Sequence, residues 1–322
     1  MKICIVGAGA IGGYLGVKLI NAGFDVSLVA RGEHLEAMRN IGLTLIEDEQ
    51  KITCFPKCTD SIETLGKMDF IFITLKAYSI PGMTKDIVKM FNNKTSVITA
   101  YNGMPWWYFY NNQGSLNNYK IRCVDQDSLQ WNLITPERVI GCVVYPATEI
   151  IKPGVIKHIE GNRFSLGEPN GMKSERILNI SKALISAGFK APIRRNIRQD
   201  IWTKLIGNLA FNPLSVITGE TLDVLVSKKE NKKIAYSAMK EASLIMDKLK
   251  IPLNITIEQR IEGAAKVGKH KTSMLQDFEK GKDLEVDSLI VAVQEIGALL
   301  NIQTPTINKI LINLERKIAQ LF

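Results

Sequence analysis

The chain has 322 residues, of which 46% are hydrophobic and 23% charged, and 41 Lys and Arg against 32 Asp and Glu give a net charge of +9. This length predicts two domains, each large enough to bury a core of its own. The composition excludes global disorder, and the lack of an uninterrupted apolar stretch of about 18 residues predicts no membrane-spanning helix.

Composition also narrows the expected location and partners. Glycines interrupt the apolar amino-terminal stretch, so we expect no signal peptide and a cytoplasmic protein. The five cysteines, an odd number, suit a reducing compartment. Cys54 and Cys58 have no second Cys or His pair beside them, so no metal site is predicted. The basic residues are scattered, which favours attraction of small anions over nucleic-acid binding.

The first half of the chain alternates short apolar runs with helical patterns, which predicts a parallel sheet with crossover helices. The predicted elements are a helix at 11–21 and strands at 2–6, 25–30, 68–75, 96–100, 139–144 and 155–159. We expect the last two strands to pair antiparallel around a turn at 152–154. The stretch 102–136 is rich in aromatic residues and Asn and shows little periodicity.

Strand patterns end at the turn-rich stretch 166–171, and long helical patterns follow, which predicts a domain boundary there. The sequence thus predicts an α/β fold, with a doubly wound sheet in residues 1–168 and an all-helical domain in residues 172–322. The predicted helices of the second half span 174–187, 197–211, 229–250, 257–266, 287–300 and 306–320.

The strongest local pattern follows the first strand and opens the first helix: Gly7-Ala8-Gly9-Ala10-Ile11-Gly12. Gly7 permits a tight turn, Gly9 lets a pyrophosphate approach the backbone, and Gly12 permits close packing of helix on strand. The positive end of the helix faces the phosphates. The pattern in this context predicts a dinucleotide-binding site.

Three residues follow predicted strands, where an open α/β sheet builds its ligand crevice. Arg31 stands after the second strand, where NAD-preferring sites place Asp or Glu. A cation there pairs with a 2′-phosphate, which favours NADP(H) over NAD(H). Lys76 and Asn102 follow later strands, and they suit an anionic group and a bridge between cofactor and substrate, respectively.

A polar stripe, Lys204, Asn208 and Asn212, recurs at every fourth residue of an otherwise apolar helix. Such groups are costly to bury unless a polar ligand meets them, which favours a cleft over a solvated surface. A Lys in a cleft binds a carboxylate and can donate a proton. Ketone reduction needs such an acid at the oxygen while hydride reaches the carbon.

Farther along, Ser273 and Asp277 lie one helical turn apart, and Glu285 follows shortly after. One interpretation is a capped helix, since Thr272 or Ser273 makes a good N-cap. The other is a hydroxyl for a substrate carboxylate and an acid that orients Lys204.

Together these motifs resemble the ketopantoate reductase (2-dehydropantoate 2-reductase) family. In the family's order they are GAGAIG, LKA at Lys76, NG at Asn102, the K-x-x-x-N-x-x-x-N helix, NPLS at 212–215 and KTSMLQD at 271–277. The resemblance implies a Rossmann-type domain and a helical domain like the carboxyl-terminal domain of 6-phosphogluconate dehydrogenase, with the site between them. It also implies NADPH-dependent reduction of ketopantoate to pantoate, a precursor of pantothenate and coenzyme A.

The resemblance also implies roles for individual positions. The cofactor-binding positions are Gly7, Ala8, Gly9, Ala10, Ile11, Gly12, Arg31, Lys76, Asn102, Ala147 and Glu285. The substrate-binding positions are Asn102, Lys204, Asn208, Asn212 and Ser273. Lys204 is the proton donor, and Glu285 is the second catalytic residue, near Lys204 and the nicotinamide. The expected partner is a small 2-oxo acid, and the expected assembly is a monomer or a homodimer.

Three departures from the family keep a second hypothesis open. Tyr101 replaces the usual Gln, and Leu222 falls near the place of a further Asn. The segment 104–136 is long, and its aromatic residues suit a lid, a pocket wall or a subunit contact. One altered amide contact changes specificity by orders of magnitude, so the alternative is a reductase for another small 2-oxo or hydroxy acid. A non-catalytic NADP(H)-binding protein is the third hypothesis, supported only by basic charge and exposed aromatic residues.

Overall fold

The apolar strand at Lys2–Val6 lies inside a seven-stranded sheet in the computed structural model, which describes residues 1–320. The described residues form eleven strands, which belong to two sheets. They are β1 (Lys2–Val6), β2 (Asp25–Val29), β3 (Leu43–Glu47), β4 (Gln50–Cys54), β5 (Lys57–Thr59), β6 (Met68–Ile73), β7 (Phe91–Thr99), β8 (Val139–Val144), β9 (Ala147–Lys152), β10 (Val155–Glu160) and β11 (Phe164–Gly167). Within the seven-stranded sheet, β1, β6 and β8 are apolar and buried along most or all of their length, as strands covered by helices on both faces are.

The large sheet has the strand order β11-β8-β7-β6-β1-β2-β5. Its neighbouring strands are parallel except for the pair β11 and β8. The chain leaves β1 for β2 on one side and later returns to β6 on the other, so the strand order reverses at β1. Open α/β sheets bind ligands at such a switch point, outside the carboxyl ends of the strands. The predicted doubly wound fold is therefore confirmed.

A second sheet of four strands has the order β4-β3-β10-β9. It corrects one prediction, because the predicted strands at 139–144 and 155–159 do not pair. The turn at Pro153 and Gly154 does join an antiparallel pair, but the partner of β10 is β9. Strand β8 is buried along its whole length and pairs with β7 and β11 in the large sheet. Strand β9 was not predicted, since it is half exposed and does not alternate.

The helices of residues 1–320 are α1 (Ala10–Asn21), α2 (Gly32–Ile41), α3 (Ile80–Ile87), α4 (Leu129–Leu133), α5 (Glu175–Ser186), α6 (Ile197–Thr218), α7 (Leu222–Ser227), α8 (Lys229–Lys248), α9 (Ile257–Val267), α10 (Ser273–Glu279), α11 (Ala292–Leu299) and α12 (Pro305–Ala319). A π-helical turn, Asp287–Val291, precedes α11. None of these helices combines the length and the apolarity that crossing a bilayer requires.

The described chain divides into two units. The first unit comprises residues 1–101, 106–120 and 127–197, and the second comprises 102–105, 121–126 and 198 onward. The second unit is helical, as predicted. The first unit continues past the predicted boundary at 168–172, because α5 belongs to the same hydrophobic core as α1 and the large sheet. Arg176 of α5 also binds Glu168 at the end of β11.

The aromatic segment after β7 is a small core rather than an exposed surface. Trp106, Trp107, Tyr108 and Phe109 are each at most 1% exposed. The indole Nε1 of Trp107 donates to the Thr99 hydroxyl at 2.9 Å, which anchors the segment to the end of β7. The expectation that the aromatic residues are exposed is wrong for these four, which removes part of the support for the hypothesis of a non-catalytic binding protein.

Candidate active site

The glycine-rich turn after β1 is shaped for a ligand at one position. Gly7 has φ of +101°, and a Cβ there would lie 2.8 Å from the Leu75 side chain. A Cβ on Gly12 would lie 2.3 Å from the Gly7 carbonyl oxygen, so this glycine lets α1 approach the strand. At Gly9 a Cβ would meet nothing closer than 4.0 Å. The space above Gly9 is therefore open to a bound group. Packing within the protein does not explain why this residue is a glycine.

The amino terminus of α1 can bind an anion. Gly9 is the N-cap and supplies no side-chain cap, and the first turn contains no acidic residue. The N–H groups of Ala10, Ile11 and Gly12 have no intrahelical acceptor, because they occupy the first turn. The N–H groups of Gly7 and Ala8 donate to the Val29 carbonyl, which holds the turn at the end of β2. Backbone donors and helix dipole together suit a dinucleotide pyrophosphate.

Arg31 and Lys76 lie at the same edge of the sheet as this turn. Arg31 is exposed two residues past the end of β2, as the N-cap position of α2. Lys76 is half-buried and follows β6, where it precedes a short 3₁₀ turn. Strands β6, β1 and β2 are adjacent and parallel, so their carboxyl ends bring these cations to the switch point. The site carries positive charge where phosphates would bind.

Two residues of the first unit, neither of them predicted, hold turns near this edge of the structure: Thr74 holds the glycine-rich turn, and His34 holds the turn between β9 and β10. The Thr74 hydroxyl donates to the Gly7 carbonyl at 2.7 Å, which ties the turn to the end of β6. His34 lies on α2, and its Nδ1 accepts from the Gly154 N–H at 3.1 Å. Burial lowers the pKa of His34, and a contact with the Ala8 backbone acts in the opposite direction. His34 is therefore a neutral structural group near pH 7.

Ala147 lies in the other sheet of the first unit, and its contact with the cofactor stays a prediction. It is the first residue of β9, in the four-stranded sheet, opposite Glu160 of β10.

In the second unit, Lys204 and Asn102 meet. The ammonium Nζ of Lys204 donates to Asn102 Oδ1 at 2.7 Å. Lys204 and Asn208 are half-buried on α6, and Asn212 is 6% exposed. Their apolar neighbours Leu205 and Leu209 are buried on another face of the helix. The predicted stripe is thus a partly buried polar face with an amide and an ammonium in contact.

The position of Asn102 depends on the residues after it. Gly103 has φ of +89°, and a Cβ there would lie 2.5 Å from Ser288 Oγ and 2.7 Å from its carbonyl oxygen. The Met104 N–H donates to the Ser288 carbonyl at 2.7 Å. Ser288 lies in the π-helical turn, an element that recurs at functional sites. No local sequence pattern predicted Ser288, because π-helical turns have no clear signature.

The two roles considered for this segment, a helix N-cap and a substrate contact, belong to different residues. Thr272 is buried and is the N-cap of α10, since its hydroxyl accepts from the Leu275 N–H. The hydroxyls of Thr272 and Ser215 lie 2.5 Å apart, which ties α10 to α6. Ser273 is exposed as the first residue of α10. The capping interpretation is confirmed for Thr272, and a substrate contact for Ser273 stays a prediction.

Glu285 is 7% exposed and lies just before the π-helical turn, where its carbonyl accepts from the Leu289 N–H. Its catalytic role stays a prediction.

Each unit therefore holds one group of polar residues with its own chemistry. In the first, the open space above Gly9 and the uncapped helix fit the pyrophosphate of a dinucleotide. In the second, an ammonium positioned by an amide can bind and protonate an oxygen of a small polar molecule.

Comparisons with known proteins find matches to both units of the chain. The family model described as ketopantoate reductase PanE/ApbA matches residues 3–171, and the model of the family's carboxyl-terminal region matches residues 196–318. A 2-dehydropantoate 2-reductase of Mesorhizobium japonicum is 47% identical over 312 residues, which is 97% of this chain and 96% of the relative.

Solved structures extend the likeness to three dimensions. A crystal structure described as that of a candidate ketopantoate reductase from Ralstonia solanacearum is 35% identical, with a TM-score of 0.94 over 99% of this chain and 98% of the other. D-mandelate dehydrogenase, solved with NADH and anilino(oxo)acetate, is 21% identical, with a TM-score of 0.86 over 100% of this chain and 99% of the other. At that identity the likeness is one of fold.

Proposed function

Because the chain belongs to the ketopantoate reductase family, we propose that it reduces ketopantoate, a 2-oxo acid, to the hydroxy acid pantoate with NADPH. The family is one of pyridine-nucleotide-dependent reductases that act on the CH–OH group. The observation that carries the reaction is the 2.7 Å hydrogen bond from Lys204 to Asn102. It supports the assignment of Lys204 as a positioned acid on a polar helix face.

Lys204 is the proton donor in this proposal. Reduction of the ketone adds a hydride at the carbonyl carbon and a proton at the oxygen, which would otherwise carry a full negative charge. An ammonium within hydrogen-bond distance of that oxygen stabilises the developing charge and supplies the proton. Asn102 Oδ1 accepts a hydrogen bond from the Lys204 ammonium, which orients that group.

The cofactor supplies the hydride when it is bound. Its pyrophosphate would lie above Gly9 at the amino terminus of α1, since that space is open and those N–H groups have no intrahelical acceptor. Arg31 would pair with the 2′-phosphate, and this supports NADPH rather than NADH. Lys76 adds a second cation at the same edge of the sheet.

Asn208 and Asn212 bind the remaining polar groups of the substrate in this proposal. They continue the Lys204 face of α6, where a carboxamide can both donate to a carboxylate and accept from a hydroxyl.

Leu222 favours a second candidate, another small 2-oxo or hydroxy acid. It is buried at the start of α7, near the place where the family has an amide. An apolar side chain there cannot hydrogen-bond a substrate hydroxyl.

The experiment is a steady-state assay of the purified protein, in which oxidation of the reduced nicotinamide is followed. Ketopantoate is compared with 3,3-dimethyl-2-oxobutanoate, which lacks only the hydroxyl, and NADPH with NADH. We expect the highest kcat/KM for ketopantoate with NADPH. Tight NADPH binding with faster turnover of the hydroxyl-free acid would favour the second candidate.

Replacing Arg31 with Ala tests the cofactor assignment. Loss of a charged pair with the 2′-phosphate should raise the KM for NADPH about 10- to 100-fold and leave the KM for NADH within about 2-fold. The matched control is Arg39→Ala, which removes a cation from the last turn of the same helix and should change neither KM. An equal loss for both cofactors would remove Arg31 from the 2′-phosphate site.

A further inference from the structure

We propose that the π-helical turn Asp287–Val291 is a positioning element for the proton donor. The carbonyl that this turn releases holds the loop of Asn102, and Asn102 in turn orients Lys204. This inference rests on the proposed function, because it concerns how the proposed acid is held. The turn, residues 102–105 and Lys204 all belong to the second unit.

The π-helical turn frees one backbone carbonyl. In an α-helix the N–H of residue 292 would donate to the carbonyl four residues earlier, which is that of Ser288. Here the Ala292 N–H donates instead to the Asp287 carbonyl, five residues earlier. The Ser288 carbonyl is therefore released from that hydrogen bond and can tilt toward a donor outside the helix.

The released carbonyl binds the loop that carries Asn102. It accepts a hydrogen bond from the Met104 N–H at 2.7 Å. Ser288 is 1% exposed, and its hydroxyl has no hydrogen-bond partner among residues 1–320, so the backbone carbonyl is the group that links the turn to the loop. The Ser288 side chain packs on Gly103, where a Cβ would lie 2.5 Å from Oγ. One hydrogen bond and one steric contact thus hold both residues that follow Asn102.

The loop has little freedom to absorb a displacement at Ser288. Met104 is buried and precedes Pro105, and a residue before proline is restricted to extended backbone. Gly103 is already at a φ of +89°. A shift of the Met104 N–H is therefore passed to Asn102, whose Oδ1 accepts from Lys204 Nζ at 2.7 Å.

The same segment also holds the other upstream piece of this unit, residues 121–126. Cys123 Sγ donates to the Asp287 carbonyl at 3.8 Å, and the Glu295 carboxylate accepts from the N–H groups of Arg122 and Cys123 at 2.8 and 3.1 Å. Removing one residue between Ser288 and Glu295 would rotate one relative to the other by about 100° and shift it by about 1.5 Å. The extra residue of the turn thus sets the register at which both pieces are held.

An amide-to-ester replacement at Met104 tests the hydrogen bond alone. The α-hydroxy acid analogue of Met keeps the side chain and replaces the N–H with an ester oxygen, which the Ser288 carbonyl oxygen repels. The control is the same replacement at Asn117, an exposed residue of the first unit whose N–H donates to the Gly114 carbonyl at 3.2 Å. We measure kcat and KM for ketopantoate, the KM for NADPH and the midpoint of thermal unfolding.

We expect the Met104 ester to lower kcat with ketopantoate about 10- to 100-fold, because a displacement of about 1 Å at Asn102 misdirects the Lys204 ammonium. The KM for NADPH should stay within about 2-fold of the wild-type value. The unfolding midpoint should fall no further than that of the Asn117 ester, which should keep the wild-type kcat.

Deletion of Val291 tests the extra residue of the turn. In the shortened helix the Val293 N–H would stand four residues after Ser288 and would take its carbonyl from Met104. We expect kcat to fall at least as far as in the Met104 ester, again with the KM for NADPH within about 2-fold. In crystal structures of both variants, Asn102 Oδ1 and Lys204 Nζ should lie beyond hydrogen-bond distance, more than about 3.5 Å apart.

Two outcomes would overturn the inference. An unchanged kcat in the Met104 ester with a lower unfolding midpoint would show that the Ser288 carbonyl only stabilises the loop. A lower kcat with Asn102 and Lys204 still in contact would show that the turn acts on another group. If the Val291 deletion does not fold, the Met104 ester decides between these results. Failure of the proposed function is distinct, because the wild-type protein would then not reduce ketopantoate, while the two crystal structures would still test the positioning.

Discussion

The Asn102 amide is held in position by the glycine that follows it. Gly103 combines a left-handed φ with a close approach to Ser288, so two independent requirements exclude a side chain there. Asn102 Oδ1 in turn accepts the hydrogen bond from Lys204 Nζ that orients the ammonium. Catalysis by a positioned acid is sensitive to small displacements, since about 1 Å can cost about 100-fold in rate.

Gly103→Ala should therefore lower kcat with ketopantoate about 10- to 100-fold, because the added Cβ would lie 2.5 Å from Ser288 Oγ and must push Asn102 away from Lys204. The KM for NADPH should stay within about 2-fold. The control is Gly263→Ala, at a helical position of α9 where an added Cβ meets nothing within 4 Å. Steady-state kinetics checks both variants, and an unchanged kcat in Gly103→Ala would show that Asn102 does not position Lys204.

At this scale the sequence predicts the residues that obey a spacing rule. The glycine turn and the stripe of Lys204, Asn208 and Asn212 follow from the periods of a strand, a turn and a helix. Ser288 escapes prediction, because it contacts Gly103 and Met104, which lie far away in the chain. Its only sequence signal is Gly103, and a glycine alone does not identify the residue that it contacts.

Among elements, α1 and the four-stranded sheet are joined by one carboxylate. Glu47, at the end of β3, accepts from the Tyr14 hydroxyl at 2.9 Å and from Lys18 Nζ at 2.8 Å. His158 of β10 lies 3.5 Å from the same carboxylate and stacks on the Tyr14 ring. Burial favours the neutral form of Glu47, but hydrogen bonds from Lys18 and Tyr14 outweigh it, so the pKa of Glu47 is lowered.

Glu47→Gln should lower the free energy of unfolding by about 1–3 kcal/mol at pH 7, because it removes charge-assisted hydrogen bonds from a partly buried site. A carboxyl whose pKa is lower in the folded protein stabilises it above the unfolded pKa, and this contribution is lost as the pH falls. The difference between variant and wild type should therefore shrink below about pH 4. Chemical denaturation as a function of pH measures it.

The control for this prediction is Glu49→Gln, which removes an exposed carboxylate from the turn between β3 and β4. The free energy of unfolding of Glu49→Gln should match that of the wild type at pH 7 and also below about pH 4. A pH-independent loss in Glu47→Gln would mean that shape rather than charge is responsible.

Elements were predicted well where one chain segment contains the whole signal. The helix predicted at 174–187 is Glu175–Ser186, with the Ser174 hydroxyl as its N-cap. Strands β3, β4 and β9 were missed, because they are partly exposed and stable only when paired with each other or with β10. A hairpin turn can be recognised locally, but which strands it joins depends on burial that no local pattern contains.

For the whole molecule, the net charge of +9 should affect the rate of substrate capture. A positive field attracts an anionic 2-oxo acid and an anionic dinucleotide, and salt screens that attraction. We expect kcat/KM for ketopantoate to fall about 3- to 10-fold between low salt and about 0.5 M salt, with little change in kcat.

The matched variant carries Lys232→Glu and Lys233→Glu on the exposed start of α8. Each Lys→Glu substitution lowers the net charge by two, so the net charge falls from +9 to +5 (9 − 4). Its kcat/KM should depend less on salt. An identical salt dependence in both proteins would show that local charges, rather than the net field, attract the substrate.

The chain passes between its two units after residues 101, 105, 120, 126 and 197. The second unit thus includes two short pieces encoded upstream, 102–105 and 121–126. The backbone of Arg122 and Cys123 donates to the Glu295 carboxylate, and the backbone of Met104 donates to Ser288. A gene fragment that starts at 198 would encode these acceptors without their donors. The helical unit is therefore not a portable module, and recombination between relatives at that point would exchange an incomplete part.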